Sequence, residues 1–322
     1  MKPSVVSLND VKEALKSIDP HSLISAMEQG FVAYSEGRVI VPPVGHLQFD
    51  EPPGDTHIKY GYIPGDGTYV IKVATSFYEN PKKGLPSANG LMLVFSQKTG
   101  ELLSVLLDEG YLTNTRTALA GAVVAKYLAP RGIKGIGIVG TGIQARMQLQ
   151  YLHSIVDCSN VYVWGRSDDA LQKYVVDMRE LGFSKVTPTK DMRELTHNCN
   201  YIVTTTPSNK PLVMAKDILG GTHITAVGAD TLGKQELDPS ILGKADIVVV
   251  DSKSQCIDHG DTSYAVQQKL VNPDGLIELG SLIKNDSRRK YDTEITVADL
   301  TGVAVQDIQI ATQVYDVLRA KA

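Results

Sequence analysis

One short glycine-rich turn constrains the fold of this chain more than any other feature of its sequence. The apolar run Ile136–Val139 leads into Gly140-Thr141-Gly142-Ile143-Gln144-Ala145, and a helical pattern follows. In such a unit the first glycine permits a tight turn, the second lets the backbone approach a pyrophosphate, and a small residue at Ala145 lets helix and strand touch. The turn predicts a dinucleotide-binding domain; the alternative is a structural turn without a ligand.

The segments around this turn alternate between strands and helices. Apolar, β-branched runs predict strands at 135–139, 161–164, 201–205, 223–227, 247–250 and 294–298. Helical patterns at 143–155 and 168–181 separate the first of these strands. The alternation predicts an α/β fold with a Rossmann-type, doubly wound parallel sheet.

The first third of the chain predicts a second, mixed α+β domain. A helix is expected after Asp19, and the later segments predict strands at 69–74 and 91–95, a hairpin partner at 102–107 and a helix at 115–128. The proline-rich stretch 41–67 is expected to form loops. An amphipathic pattern at 303–318 predicts a final helix that returns to this domain.

Composition excludes several classes of function. The net charge of -4 over 322 residues gives no basic surface for nucleic acid. No apolar run reaches the roughly 18 residues of a membrane helix, and the first residues do not resemble a signal peptide. Three cysteines without a C-x-x-C pair argue for reduced thiols. No metal-ligand spacing is formed by His46, His57 and His259. Together these features predict a cytoplasmic protein without a metal site or a membrane partner.

The end of the second strand of the sheet bears on the form of the cofactor. An NAD-preferring site places a carboxylate there to accept the ribose 2′-hydroxyl, whereas this chain has Arg166 and Ser167. Arginine can make bidentate contacts to a 2′-phosphate. NADP(H) is therefore predicted to be preferred, with NAD(H) possible if Arg166 is only a surface residue and Asp168 or Asp169 binds the ribose.

Lys72 lies within the apolar strand pattern 69–74. An ammonium group in such a place must find an anion or lose its hydration. One interpretation is a ligand for a substrate carboxylate; the other is an edge-strand lysine that blocks aggregation. The sequence favours neither.

Arg116 and Asp230 are further candidates for chemistry. Arg116 is expected in the first turn of a helix that begins near Thr113, where a cation opposes the helix dipole unless an anion is present. Asp230 follows the strand at 223–227, at the carboxyl end where ligands of parallel sheets bind. Asp230 could exchange a proton with a substrate nitrogen. A surface salt bridge for Arg116 and a cap or turn role for Asp230 are the alternatives.

Together these segments resemble the ornithine cyclodeaminase/mu-crystallin family. The resemblance covers nearly the whole chain, and its matching stretches are Lys82-Lys83-Gly84-Leu85-Pro86, Thr115-Arg116-Thr117-Ala118, the dinucleotide turn, Thr204-Thr205-Thr206-Pro207-Ser208, Gly221-Thr222-His223-Ile224, Val227-Gly228-Ala229-Asp230, Gly233-Lys234-Gln235-Glu236-Leu237-Asp238 and Thr301-Gly302-Val303-Ala304-Val305-Gln306-Asp307.

The resemblance implies a homodimer and a division of roles. It implies a substrate-binding and dimerisation domain at 1–120 plus 303–322, and a dinucleotide-binding domain at 121–302. It implies carboxylate binding by Lys72 and Arg116, with Lys59 a further ligand, and catalysis by Asp230 and Lys72. Besides Gly140 to Ala145 and Arg166-Ser167, it implies cofactor contacts from three further pairs of residues: Thr206 and Pro207, Val227 and Gly228, and Gly302 and Val303.

One departure from the family pattern affects the substrate site. An arginine commonly follows the proline of the first loop, whereas here Pro42-Pro43 is followed by Val44-Gly45-His46. Substrate binding is therefore expected to differ, with Lys59 or His46 as a substitute.

The resemblance implies hydride transfer between a nicotinamide and the α-carbon of a small amino or imino acid, of the alanine or Δ1-pyrroline-2-carboxylate type. The alternative is an ornithine cyclodeaminase, a lyase that forms proline and ammonia without net use of cofactor. A third reading is a non-catalytic NADPH-binding protein like mu-crystallin.

Overall fold

The computed structural model describes residues 2–77 and 79–321, which divide into two compact units. The first unit comprises Met1–Arg116 and Val303–Ala322, and the second comprises Thr117–Gly302. No helix within the described ranges is long and apolar enough to cross a membrane.

The first unit is built on a sheet that begins close to the N-terminus. Its elements, in chain order, are β1 (Ser4–Val6), α1 (Leu8–Lys16), α2 (Pro20–Ser35), β2 (Gly45–Phe49), β3 (Gly54–Gly61), β4 (Thr68–Phe77), β5 (Ala88–Ser96), β6 (Leu102–Leu106) and α3 (Tyr111–Leu128), which continues into the second unit. In the described chain the strand order is β1-β6-β5-β4-β3-β2. All pairs are antiparallel except β1 with β6.

The helices of the first unit begin at side-chain caps that the sequence supplies. The Asp19 carboxylate accepts a hydrogen bond from the Ser22 amide, and Pro20 occupies the first turn of α2. Apolar residues of α2, among them Met27 and Phe31, are fully buried. The predicted helix after Asp19 is therefore confirmed.

The second unit contains the parallel sheet. Its elements are β7 (Ile136–Val139), α4 (Ile143–Leu152), β8 (Val161–Trp164), α5 (Asp168–Glu180), β9 (Val186–Thr189), α6 (Met192–Asn198), β10 (Tyr201–Thr204), β11 (Asn209–Val213), β12 (His223–Ala226), β13 (Gln235–Leu237), α7 (Pro239–Lys244), β14 (Ile247–Val250), α8 (Lys253–Asp258), α9 (Asp261–Gln267), β15 (Ile277–Glu278), α10 (Leu279–Lys284) and β16 (Thr296–Asp299). The last helix, α11 (Ala304–Lys321), belongs to the first unit.

The large sheet of the second unit is parallel throughout the described residues, in the order β15-β14-β16-β12-β10-β7-β8-β9. Successive residues of one strand face opposite cores: Ile138 packs in one apolar cluster and Val139 in the other. Both faces are thus covered, and the predicted α/β, Rossmann-type fold is confirmed. The order in which successive strands are added to the sheet reverses between β7 and β10, which is where doubly wound sheets bind ligands.

The prediction of loops at 41–67 is wrong. This stretch contains β2 and β3, an antiparallel hairpin in which His46 pairs with His57. The prolines stand outside the paired residues, Pro42-Pro43 before β2 and Pro52-Pro53 in the turn before β3. Proline removes an amide donor, so it is excluded from the ladder itself but not from the ends of strands.

Candidate active site

The glycine turn lies at the reversal point of the sheet, between β7 and the N-terminus of α4. Gly140 has a φ of 120°, a conformation that side chains rarely adopt. A Cβ at Gly140 would lie 2.5 Å from the Thr205 Oγ1, whereas a Cβ at Gly142 would meet nothing within 4 Å. The first glycine therefore serves the turn itself, and the second leaves open space next to the backbone at the start of a helix.

A cavity of about 380 Å³ adjoins this turn. It is lined by residues that follow the carboxyl ends of three neighbouring strands: Gly140, Thr141, Gly142, Trp164, Gly165, Arg166, Thr205, Thr206, Pro207, Ser208, Asn209 and Leu212. No lining residue is acidic. The start of a helix, together with a guanidinium, suits a phosphate-bearing ligand. The open space at Gly142 fits the pyrophosphate of a dinucleotide.

The three polar residues after β8 have different surroundings. Arg166 is exposed and lines the cavity. The Ser167 hydroxyl caps α5 by accepting from the Ala170 amide at 3.5 Å. Asp168 forms an ion pair with Lys190 at 2.5 Å, so its carboxylate is already engaged. Of the three, Arg166 alone is both charged and part of the cavity wall.

The loops after β10 and β12 are joined by a buried carboxylate that sequence reasoning gave no role. Glu236 is fully buried on β13 and accepts from the Thr206 amide at 2.5 Å and the Gly228 amide at 2.9 Å. Burial raises the pKa of Glu236 to about 7, although the hydrogen bonds from Thr206 and Thr204 oppose the rise. The family stretch at 233–238 contains this residue, but no local feature of the sequence indicates that its side chain joins two loops.

The first unit contains a buried cluster of charges on β4, α3 and α11. The Asp307 carboxylate lies 3.1 Å from the Lys72 Nζ and 3.1 Å from the Arg116 Nε. All three side chains are buried: the exposed fraction is 2% for Asp307, 3% for Lys72 and 8% for Arg116. Arg116 also donates to the Gln306 side chain at 3.1 Å. Lys59 stands directly opposite Lys72 in the pairing of β3 with β4.

Burial determines the protonation of this cluster. Burial lowers the pKa of Lys72 to about 7, with Asp307 opposing the shift and Arg116 and Lys59 contributing to it. Burial also opposes ionisation of Asp307, but Lys72 and Arg116 outweigh it and hold the pKa of that carboxyl below its usual value. Because Lys72 and Arg116 share the single carboxylate of Asp307, their charges favour an additional anion.

Two sequence interpretations of this cluster need correction. The edge-strand reading of Lys72 is wrong, because β4 lies between β3 and β5 inside the sheet. Arg116 is not in the first turn of its helix, because α3 begins at Tyr111. Its charge is balanced by Asp307, which sequence reasoning did not single out although it ended one of the family stretches.

The remaining predicted residues lie in loops at the carboxyl ends of strands. Asp230 follows β12 and is half exposed, with its carboxylate 2.7 Å from the Lys234 Nζ. The Gly302 amide donates to the Asp251 carboxylate at 2.6 Å, and the Val303 amide donates to the Gln306 side chain at 2.9 Å. These bonds fix the backbone just before α11 begins.

His46 and His57 form a stacked pair on the β2–β3 hairpin, with ring centroids 4.7 Å apart. They occupy the same face of the sheet as Lys59, which is two residues beyond His57. Among residues 2–77 and 79–321, no group of three or more His, Cys, Asp or Glu is arranged to hold a metal ion.

Comparison with known proteins decides the family. The sequence profile of the ornithine cyclodeaminase/mu-crystallin family matches residues 1–322. The chain belongs to this family. It is 37% identical over 304 residues to an uncharacterized cyclodeaminase of Sinorhizobium fredii, covering 92% of both chains.

Two solved structures of this family are also similar. One is an archaeal alanine dehydrogenase dimer with bound NAD, at a TM-score of 0.90 and 33% identity, covering 100% of this chain and 97% of the other. The other is the Δ1-pyrroline-2-carboxylate reductase of Thermococcus litoralis with NADH and L-proline, at a TM-score of 0.90 and 26% identity, covering 99% and 98%.

Proposed function

We propose that this chain is an NAD(P)-dependent oxidoreductase that transfers hydride between a nicotinamide and the α-carbon of a small amino acid or cyclic imino acid, of the alanine or Δ1-pyrroline-2-carboxylate type. The observation that carries the proposal is the buried cluster of Lys72, Arg116 and Asp307, in which cations outnumber the anion. A family member with NAD and another with NADH and L-proline support the same chemistry.

The cation cluster is assigned to the substrate carboxylate. Lys72 and Arg116 share the single carboxylate of Asp307, so two cations face one anion. A substrate carboxylate would compensate that excess, and hydrogen bonds between charged partners are roughly twice as strong as neutral ones. Because the pKa of Lys72 is lowered to about 7, this side chain can also hold or release a proton near neutrality.

The cavity of the second unit is assigned to the dinucleotide. A bound nicotinamide would supply or accept the hydride. Gly140 to Ala145 would hold the pyrophosphate at the start of α4, and Thr206 and Pro207 would lie along the cofactor. Val227, Gly228, Gly302 and Val303 are assigned to the nicotinamide end.

Arg166 supports a preference for NADP(H). It lines the cavity, where a guanidinium can meet a 2′-phosphate, and the lining contains no acidic side chain that would repel it. Asp168, the carboxylate that could have bound a ribose hydroxyl, is paired with Lys190. The similar structures contain NAD and NADH, so NAD(H) remains the second form to test.

Asp230 is assigned the proton at the substrate nitrogen. We expect Asp230→Asn to lower kcat by about a hundredfold or more, in the range of general acid–base catalysis, while cofactor affinity is retained. Steady-state kinetics together with calorimetric titration of the cofactor test this, with Asp274→Asn as an exposed control in the same unit. Full activity of Asp230→Asn would remove this residue from the mechanism.

We also propose a homodimer in which the first unit forms the contact. The edge strand β2 exposes Leu47 at 55% and Phe49 at 39%, and unpaired edge strands with apolar side chains are prone to association. The archaeal alanine dehydrogenase is a dimer. Light scattering of the purified protein would give the mass in solution.

One assay separates the candidate reactions. The purified protein is given NADPH or NADH with pyruvate plus ammonia or with Δ1-pyrroline-2-carboxylate, and separately L-ornithine with catalytic NAD. Net oxidation of the cofactor supports the oxidoreductase, whereas proline from ornithine without net oxidation supports the cyclodeaminase, the function named for the similar Sinorhizobium fredii protein. Dinucleotide binding without turnover on any substrate would favour a binding protein.

A further inference from the structure

The carboxylate of Glu236 joins two loops that belong to different strands. Its Oε1 accepts from the Thr206 amide at 2.5 Å and from the Thr206 hydroxyl at 2.7 Å. Its Oε2 accepts from the Gly228 amide at 2.9 Å and from the Thr204 hydroxyl at 2.7 Å. Each oxygen therefore serves one loop, the one after β10 and the one after β12, and the Thr204 hydroxyl adds the end of β10.

The two loops approach each other closely at Gly228. A Cβ at Gly228 would collide with both the Glu236 carboxylate and the Thr206 carbonyl. The backbone at Gly228 can therefore approach the Glu236 carboxylate only because it carries no side chain. The distance between the two loops is set by the width of one carboxylate group.

The backbone of Glu236 is itself held by hydrogen bonds. The Asp261 Oδ1 accepts from the Glu236 and Leu237 amides, each at 2.8 Å. Asp261 and Glu236 are both fully buried, and neither forms an ion pair within the described part of the chain. The rotation of the Glu236 side chain is therefore limited at both ends, by its backbone and by the four donors.

We propose that Glu236 is a positioning residue that fixes the spacing between the Thr206 loop and the Gly228 loop, and so sets the nicotinamide half of a bound dinucleotide relative to its adenosine half. The inference rests on the cofactor site proposed above. A glutamine has one acceptor oxygen instead of two, so it can satisfy the amide of one loop and leaves the amide of the other facing an NH₂ group. Glu236→Gln should therefore uncouple the loops without removing side-chain volume.

The test compares a whole dinucleotide with its adenosine half. Calorimetry measures Kd for NADPH and 2′-phospho-ADP-ribose, or for NADH and ADP-ribose, according to which dinucleotide the wild type binds. For Glu236→Gln we expect Kd of the dinucleotide to rise about tenfold or more, loss of the fluorescence enhancement of the reduced nicotinamide, and Kd of the fragment within about threefold of wild type. Circular dichroism melting shows whether the variant is folded during the titration.

Two further variants keep the test decisive. Thr204→Val removes one of the four donors with little change of shape, so we expect a smaller rise in dinucleotide Kd, and it replaces Glu236→Gln if that variant does not fold. Glu194→Gln is the control, because Glu194 also accepts from a threonine hydroxyl, that of Thr189, but lies outside the cavity lining. We expect it to match the wild type.

Equal losses for dinucleotide and fragment, or no loss for either, would overturn the positioning role. A wild type that binds no dinucleotide at all would instead overturn the proposed function. The two failures are distinguishable because the second is seen before any substitution is made.

Discussion

The cofactor cavity of the second unit and the cation cluster of the first unit differ in where their residues come from along the chain. The cavity is lined in part by three consecutive residues of the glycine turn, Gly140 to Gly142, and we assign its phosphate contacts largely to backbone amides. The cluster joins Lys72, Arg116 and Asp307, which belong to three separate elements. A local site can be recognised from sequence spacing, whereas a site made of distant charges is defined only when the chain has folded.

The two sites should therefore fail in different ways. Loss of a residue from the cluster leaves buried charge without compensation, which costs stability as well as function. Loss of Gly142, where a Cβ meets nothing within 4 Å, changes the space offered to a ligand, which costs affinity but leaves the rest of the fold intact. The predictions below test this difference.

The largest effect is expected from Asp307→Asn. It removes the one carboxylate that lies against both Lys72 and Arg116, and breaking a buried ion pair from one side costs about 3 to 5 kcal/mol. We expect the free energy of unfolding, measured by urea denaturation, to fall by that amount. Asp316→Asn, on the exposed side of the same helix, serves as control and should change stability by less than about 0.5 kcal/mol. A loss below about 1 kcal/mol for Asp307→Asn would contradict the charge-balance account.

Asp307 also shows why part of the site could not be predicted from the sequence. It lies on the buried side of an amphipathic helix near the C-terminus, and a carboxylate there has no partner within its own helix that would explain it. Its partners follow from the packing of α11 within the first unit. By contrast, the strands Val161–Trp164 and Ile247–Val250 were predicted with their observed bounds, because runs of β-branched and aromatic residues carry their signal locally.

The second large effect is expected in the turn. A Cβ at Gly142 meets nothing within 4 Å, so Gly142→Ala should leave the melting temperature nearly unchanged. If that space belongs to the pyrophosphate, Kd for the dinucleotide should rise about thirtyfold, which corresponds to about 2 kcal/mol. Gly132→Ala is the control, since its Cβ would also be unobstructed but lies outside the cavity lining. An unchanged Kd for Gly142→Ala would separate this glycine from cofactor binding.

The β2–β3 hairpin and β13, the strand that carries Glu236, show a second limit of prediction from sequence. Prolines at the ends of β2 and β3 made the region resemble loops, although they flank the ladder and do not interrupt it. Strand Gln235–Leu237 is three residues long, too short for a period to be recognised. That strand pairs with β11, which lies in a distant part of the sequence that a local window does not contain.

The pH dependence of stability offers a test of the cluster alone. Folding lowers the pKa of Lys72 from 10.5 to about 7, so between those values the unfolded chain binds more protons than the folded one. Stability should therefore rise with pH across that window, by up to about 1.4 kcal/mol per pH unit from this group. Lys72→Met should remove that rise in urea denaturation curves, whereas Lys98→Met, at an exposed turn of the same unit, should keep it. The same slope in Lys72→Met and wild type would show that another group titrates.

The smallest effect is expected at Arg166, where solvent screens the charge. Arg166 lines the cavity but is exposed, so replacing it with glutamine should cost about 1 kcal/mol of affinity for NADPH and little for NADH. The ratio of the two Kd values, measured at low and high salt, isolates the 2′-phosphate from the rest of the cofactor. Arg179→Gln removes an exposed arginine of α5 that lies outside the cavity lining, and it should leave the ratio unchanged. If Arg166→Gln also leaves the ratio of the two Kd values unchanged, the proposed preference for NADP(H) is wrong. The proposed role of the glycine turn would still hold, because the turn is assigned to the pyrophosphate, which NAD and NADP share.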